Sequence, residues 1–458
     1  MRSLTICIVI AIEGFVSIAA EILCMRQISV FMGNNVVVNS LIIGVFLLSL
    51  SYGYKRGSKY SENLSAILSR NLLIASVFIG FGLSYWFISA YFNFVEKILH
   101  QNGFIALTAY LLTIIAPLIY FLGQTLPITM SFMNQHQRAA EIGGKVLHIS
   151  ALGSFFGAVT TTIIFMHYIG VELTVVLNSV LLLLAALMIN HGFIQLSRVA
   201  LAVTIFYPAI YFLVSDSENL QPLISNEYSN YFIIRNHTLA DNRVGSVFVI
   251  NNSPSSFIEN DSLYGAAYIE KIKNILFDDF KFNGKNILVL GAGGFSISAS
   301  GNYGNNFVYV DIDPNLKKIA TSNFLDSING KFIASDARMF LRNSRDKYDV
   351  IVSDVYSNKL TIPTHLLTRE YFALIANNLS YNGVAVFNMV INPLLNDKYS
   401  VKVDNTIRSV FPSCSATTLG HGSGKSNVIY LCFKESMPGM GEVYSDNDSS
   451  INVDSVLS

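Results

Sequence analysis

The chain has 458 residues, 52% of them hydrophobic and 13% charged, with 30 basic and 30 acidic side chains. An ordinary soluble chain carries about 25% charged residues, so the composition excludes a simple soluble globule. A formal net charge of zero argues against a nucleic-acid partner.

The missing charge is concentrated in the first half. Residues 27–54, 71–95, 98–137, 146–171, 173–197 and 199–215 contain no Asp, Glu, Lys or Arg. A spanning helix needs about 20 apolar residues. Candidates run near 4–25, 36–54, 72–92, 104–130, 149–169, 171–192 and 196–215, which makes about seven spans. The first begins like a signal peptide, but Glu13 interrupts it and Arg26 follows at a plausible membrane edge, so a retained span is expected. Glu13 and Glu21 lie inside that span. Such groups usually face a bundle interior, either as a proton or substrate site or in an interhelical hydrogen bond, with Glu21 paired to Arg26. Gly153, Ser154 and Gly157 have the spacing of a tight helix contact.

The basic residues pull the topology in two directions. Lys55, Arg56, Lys59 and Arg70 mark the second loop as cytoplasmic, and Arg138 and Lys145 mark the fourth. Seven spans would then leave the second half outside. A nucleoside ligand is scarce there, so the cytoplasmic face of a bacterial inner (plasma) membrane is the expected one.

Beyond Asp216 charges return to ordinary density. YFIIRN and VGSVFVINN, within 230–260, read as a small antiparallel element. A different rhythm follows. NILVL (286–290), NFVYVD (306–311), KFIASD (331–336), YDVIVSD (348–354) and VAVFNM (384–389) are continuous apolar runs, with helical stretches such as 314–325 and 369–379 between them. Strands alternating with helices predict a doubly wound parallel sheet. The tail after Lys434 is polar and reads as disordered. The expected divisions are a helical membrane domain at 1–215, a β element and linker helix at 216–280, an α/β Rossmann-like domain of the S-adenosylmethionine methyltransferase type at 281–434, and a tail at 435–458. Cys7 and Cys24 lie in apolar stretches, while Cys414 and Cys432 stand apart, with no CxxC and no His at ligand spacing. All four read as structural, and neither a disulfide framework nor a zinc site is expected.

Ligands bind such sheets at the carboxyl ends of the strands. The first strand ends in Gly291-Ala292-Gly293-Gly294-Phe295-Ser296, a glycine turn that lets a ligand approach the backbone. The second ends in Asp311-Ile312-Asp313-Pro314, where a carboxylate can accept from both ribose hydroxyls. The third ends in Ser335-Asp336-Ala337-Arg338, where one can accept from an adenine amine, and the fourth in Ser353-Asp354-Val355-Tyr356. Asp313-Pro314 and Asp336 also suit helix caps. A dinucleotide usually wants a third glycine where this chain has Ser296, so an S-adenosyl nucleoside is preferred.

In this order and spacing, NILVLGAGG, VYVDIDP, SDARMFL, YDVIVSDVYS and LLTREYF resemble the spermidine synthases (polyamine aminopropyltransferases). GFVSIAAEILCMR and GVFLLSLSYGY are similar to the first spans of their membrane-fused bacterial relatives. The resemblance covers most of 11–390, and methyltransferases share its first two soluble motifs. It implies aminopropyl transfer from decarboxylated S-adenosylmethionine to a polyamine-type amine, with no metal. Gly291, Gly293, Asp311, Asp336 and Ala337 would hold the donor. Asp354 would take the attacking amine's proton, assisted by Tyr268 of Tyr268-Ile269-Glu270. Two departures stand out. Gly294 replaces an aspartate that binds the donor's amine, and Ser357 replaces one that binds the diamine. Intact S-adenosylmethionine and a methyltransferase therefore stay open, as does a non-catalytic nucleoside-sensing domain on a transporter-like bundle. The expected partners are membrane lipid and a small amine, and a homodimer is left open.

Overall fold

A computed structural model describes residues 3–33, 35–95, 103–133, 138–189, 223–239, 242–260, 262–356, 358, 361–419 and 424–433. The chain divides into two compact units, the first reaching Glu227 and the second comprising Met32–Asn35 and Tyr228 onward. The expected seventh span and the polar tail lie outside the described residues, as does Ser357.

Among the described residues of the first unit, six helices are long and apolar enough to cross a membrane: Leu4–Met32, Val36–Gly57, Leu64–Gly82, Gly103–Phe132, Ala139–Tyr168 and Val171–Ile189. Their outward faces carry Leu47, Leu48, Phe155, Phe156 and Ile163, a degree of apolar exposure that lipid tolerates and water does not. The third helix departs from the expected 72–92. It ends at Gly82, and a new helix, Tyr85–Asn93, starts after Ser84, whose hydroxyl accepts the Phe87 N–H at 3.3 Å. That cap ends the hydrophobic run without any change in apolarity.

Small residues set the closest contact. A Cβ on Gly153 would stand 2.2 Å from the Ala11 carbonyl oxygen, and one on Gly157 would stand 2.4 Å from that of Phe15. The Ser154 hydroxyl donates to the Gly14 carbonyl at 3.0 Å. Packing therefore accounts for this small-residue stripe. Glu13 is buried and accepts from the Ser150 hydroxyl at 3.4 Å, and the Arg26 guanidinium donates to the Asn226 carbonyl at 2.7 Å.

A two-residue strand, β1 (Ile224–Ser225), lies near the end of the first unit, and the second unit opens with an antiparallel meander of β2 (Asn230–Thr238), β3 (Val244–Ile250) and β4 (Ser253–Glu259). A seven-stranded sheet follows, made of β5 (Asn286–Leu290), β6 (Asn306–Asp311), β7 (Lys331–Ala334), β8 (Tyr348–Ser353), β9 (Leu379–Ile391), β10 (Ser413–Thr418) and β11 (Ser426–Phe433). Its spatial order is β10-β11-β9-β8-β5-β6-β7. The β7-β6-β5-β8-β9 part is parallel, and β11 and β10 are antiparallel. The order reverses between β5 and β8, the place where doubly wound sheets open a crevice. Central strands buried on both faces must be apolar throughout, which is why Ile287–Leu290 and Val350–Val352 are fully buried. Helices at Leu316–Asn323, Ala337–Asn343, Arg369–Asn378 and Lys398–Arg408 complete the sandwich.

One expectation is overturned here. Cys414 and Cys432 are joined in a disulfide. The register of β10 on β11 sets them directly opposite, with Cα atoms 4.1 Å apart. Eighteen residues of sequence separation give no hint of this, because the pairing depends on hairpin register, which cysteine spacing does not encode.

Candidate active site

The carboxyl ends of β5, β6, β7 and β8 converge on a cavity of about 460 Å³. Gly291, Gly293, Asp311, Asp336, Ala337, Asp354 and Tyr268 all line it, so the structure brings every sequence-predicted site residue to one place.

The glycine turn is obligatory at its first position. Gly291 has φ +83°, and a Cβ there would sit 2.1 Å from the Asp354 carbonyl oxygen. Gly291→Ala therefore combines left-handed strain of roughly 1–3 kcal/mol with a backbone clash. The expected result is a lower melting temperature and lost nucleoside binding, read by thermal melts with and without donor.

Asp311 ties the turn to β6. Its two oxygens accept the Ala292 N–H at 3.0 Å and the Asp313 N–H at 3.3 Å. A carboxylate has about four acceptor sites, so capacity remains for ligand hydroxyls. Burial raises its pKa to about 6, against the lowering effect of those backbone bonds. Asp313 serves the fold instead: it is fully buried, accepts from the Tyr231 hydroxyl at 2.6 Å, and caps Asn315.

Asp336 caps the helix Ala337–Asn343 through the Met339 N–H at 2.9 Å, and also meets His365 Nε2 at 2.9 Å. Burial pushes its pKa up, but the bonds from His365 and Met339 outweigh that, and the net shift is downward. The cap and cavity-lining readings both hold for this residue.

Asp354 follows β8. The Asn388 side-chain amide donates to its carboxylate at 2.8 Å, and Asn427 donates to the Asn388 carbonyl at 2.8 Å. This relay fixes which way the Asn388 amide points and so holds the carboxylate. The Tyr268 hydroxyl lies within reach of both the Ser255 carbonyl and the Asp354 carboxylate, and has one proton to give. Burial raises the Asp354 pKa to about 6, and the bonds from Asn388 and Tyr268 hold it down from a higher value. Glu270, two residues on, takes no part in the cavity lining and instead accepts from the Gly265 N–H and from Lys273.

Sequence reasoning missed Asn388, Asn427 and His365. Asn388 had a signal: it is a polar residue inside the apolar run VAVFNMVI of β9 and is buried, and buried amides need partners.

Residues 265–435 match the spermine/spermidine synthase domain family. The chain is 29% identical over 192 residues to a probable polyamine aminopropyl transferase of Bifidobacterium longum, an alignment covering 41% of this chain and 42% of the relative. It is 32% identical over 162 residues to an N-terminal histidine N-methyltransferase of Emericella nidulans, covering 33% of this chain and 28% of that protein. The chain thus spans less than half the length of either. A polyamine aminopropyltransferase 2 of Aquifex aeolicus is 21% identical over 392 residues, which is 81% of this chain and 76% of that one. An alignment that long extends beyond residues 265–435 into the helical unit.

Proposed function

We propose that the chain is a membrane-embedded transferase that moves an aminopropyl group from decarboxylated S-adenosylmethionine to a polyamine-type amine. The observation that carries this is the single cavity holding the Asp354 carboxylate, the Tyr268 hydroxyl and the Gly291 turn together. In this reading Asp311 takes the ribose hydroxyls, and Asp336 with Ala337 takes the adenine. Gly291 and Gly293 let the donor approach the backbone. The acceptor's ammonium first gives a proton to Asp354, since only the free amine has an electron pair to attack with. The nitrogen then attacks the propyl carbon beside sulfur. The carbon–nitrogen bond forms as the carbon–sulfur bond breaks, and the sulfonium leaves as the neutral thioether methylthioadenosine. Tyr268 positions the carboxylate and the incoming nitrogen.

A methyltransferase is the second reading, and Gly294 favours it. A Cβ there would stand 2.6 Å from Phe324 and 2.7 Å from Ser256, so the turn has no room for a carboxylate that would bind the donor's amine. The N-methyltransferase among the relatives points the same way. Calorimetry of the full-length protein in detergent with both donors separates the two. Tighter binding of the decarboxylated donor supports aminopropyl transfer, and tighter binding of intact S-adenosylmethionine supports methyl transfer.

A further inference from the structure

We propose that the synthase domain stands on the extracytoplasmic side of the membrane, with Cys414–Cys432 closed as a disulfide. Two independent observations lead there.

The first is the polarity of the helical unit. The helices Leu64–Gly82 and Val171–Ile189 are antiparallel, because the Ser69 hydroxyl donates to the Ala186 carbonyl at 3.0 Å and Ser76 meets Ser179 at 2.8 Å. At the far end of this pair, Glu172 accepts the Tyr85 N–H and the Gln27 amide, both at 2.9 Å. Nineteen residues separate the two ends by about 28 Å, the thickness of a hydrocarbon core. Asn226 belongs to the Glu172 end: its carbonyl accepts from Arg26, the neighbour of Gln27, and Glu227 meets His167 Nδ1 at 2.9 Å. The synthase domain continues from Tyr228, one peptide bond later.

The basic residues gather at the opposite end. Asn71, near Ser69, donates to Gln124 at 2.9 Å, and a Cβ on Gly57 would meet the Gln124 carbonyl oxygen at 2.8 Å. Lys55, Arg56 and Lys59 surround Gly57, Arg70 lies beside Ser69, and Arg138 and Lys145 flank the start of Ala139–Tyr168. Among the described residues, the Glu172 end has Arg26, turned inward onto Asn226. Cytoplasmic segments carry the excess of Lys and Arg, so residues 224–227 emerge on the other face. The sequence joining Ile189 to this face contains the uncharged stretch 199–215.

The second observation is the disulfide. Cys414 and Cys432 are paired across β10 and β11. Such bonds persist in oxidising compartments and are rare in the cytosol. Donor supply alone favours the cytoplasmic face. If the transferase reading also holds, a transport step must bring the donor nucleoside from the cytoplasm where it is made, and the acceptor amine is drawn from outside.

The test uses the full-length protein in spheroplasts with a membrane-impermeant maleimide. Tyr381 is 94% exposed in the synthase domain, and Lys59 is exposed at the basic end. The expected result is that Tyr381→Cys labels in intact spheroplasts, while Lys59→Cys labels only after permeabilisation. Mass spectrometry of the unmutated protein, alkylated before reduction, should recover Cys414 and Cys432 as one linked pair. The reverse labelling pattern, labelling of both sites in intact spheroplasts, or two alkylated thiols would overturn the proposal. None of these readouts depends on activity, so their failure is distinct from failure of the transferase reading.

Discussion

Asp354→Asn should keep donor binding and lose turnover by about 10²–10⁴-fold, the usual worth of general-base assistance. The isostere preserves the local bonding. Its carbonyl oxygen can face Asn388, whose amide donates to the native carboxylate at 2.8 Å, but it cannot take a proton. The pH profile separates this role from a structural one. With burial raising the carboxyl pKa to about 6, the base is ionised above that value and protonated below it. Wild-type turnover should therefore fall tenfold per pH unit below about 6, and the variant should lack that limb. In the variant, raising the pH should partly restore the rate as free amine becomes available. Equal turnover of wild type and variant at neutral pH would refute the assignment. Loss of donor binding together with turnover would make Asp354 a donor ligand instead.

Asp311→Ala should weaken donor binding about tenfold to 150-fold. This corresponds to the roughly 1.5–3 kcal/mol of a charge-assisted hydrogen-bond acceptor. The same carboxylate holds the Ala292 and Asp313 N–H groups, so part of the loss would come from a loosened glycine turn. Asp311→Asn keeps one acceptor oxygen and should lose less. Because burial raises the native pKa to about 6, donor affinity should rise with pH through that value as the acceptor ionises. Titration calorimetry at pH 5 and pH 7 reads both effects, and unchanged affinity in Asp311→Ala would remove this residue from the site.

These residues were legible because their positions follow from one-dimensional patterns. NILVL and YDVIVS are apolar without interruption, since strands in the middle of a covered parallel sheet meet apolar side chains on both faces. A glycine or aspartate directly after such a run must lie at the strand's carboxyl end, and that is where Gly291, Asp311 and Asp354 are found. Interactions that depend on register or on distant loops leave no such trace. The relay from Asn427 through Asn388 to Asp354 joins two antiparallel strands to a third, with partners 39 and 34 residues apart. His365 reaches Asp336 from the short helical turn Thr364–Leu366, 29 residues away. The Cys414–Cys432 pair depends on the β10–β11 register in the same way. The break after Gly82 was hidden for a different reason: the sequence remains apolar across it, and only the Ser84 cap shows where one helix stops and another begins.

Product analysis tests aminopropyl transfer most directly. The full-length protein, purified in detergent, is incubated with decarboxylated S-adenosylmethionine and a panel of di- and polyamines, and in parallel with intact S-adenosylmethionine. The products are resolved by mass spectrometry. Methylthioadenosine should appear in equal amount with an amine that has gained one aminopropyl group, and Asp354→Asn should abolish both. Methylated product with S-adenosylhomocysteine from the intact donor, and no methylthioadenosine from the decarboxylated one, would contradict the account.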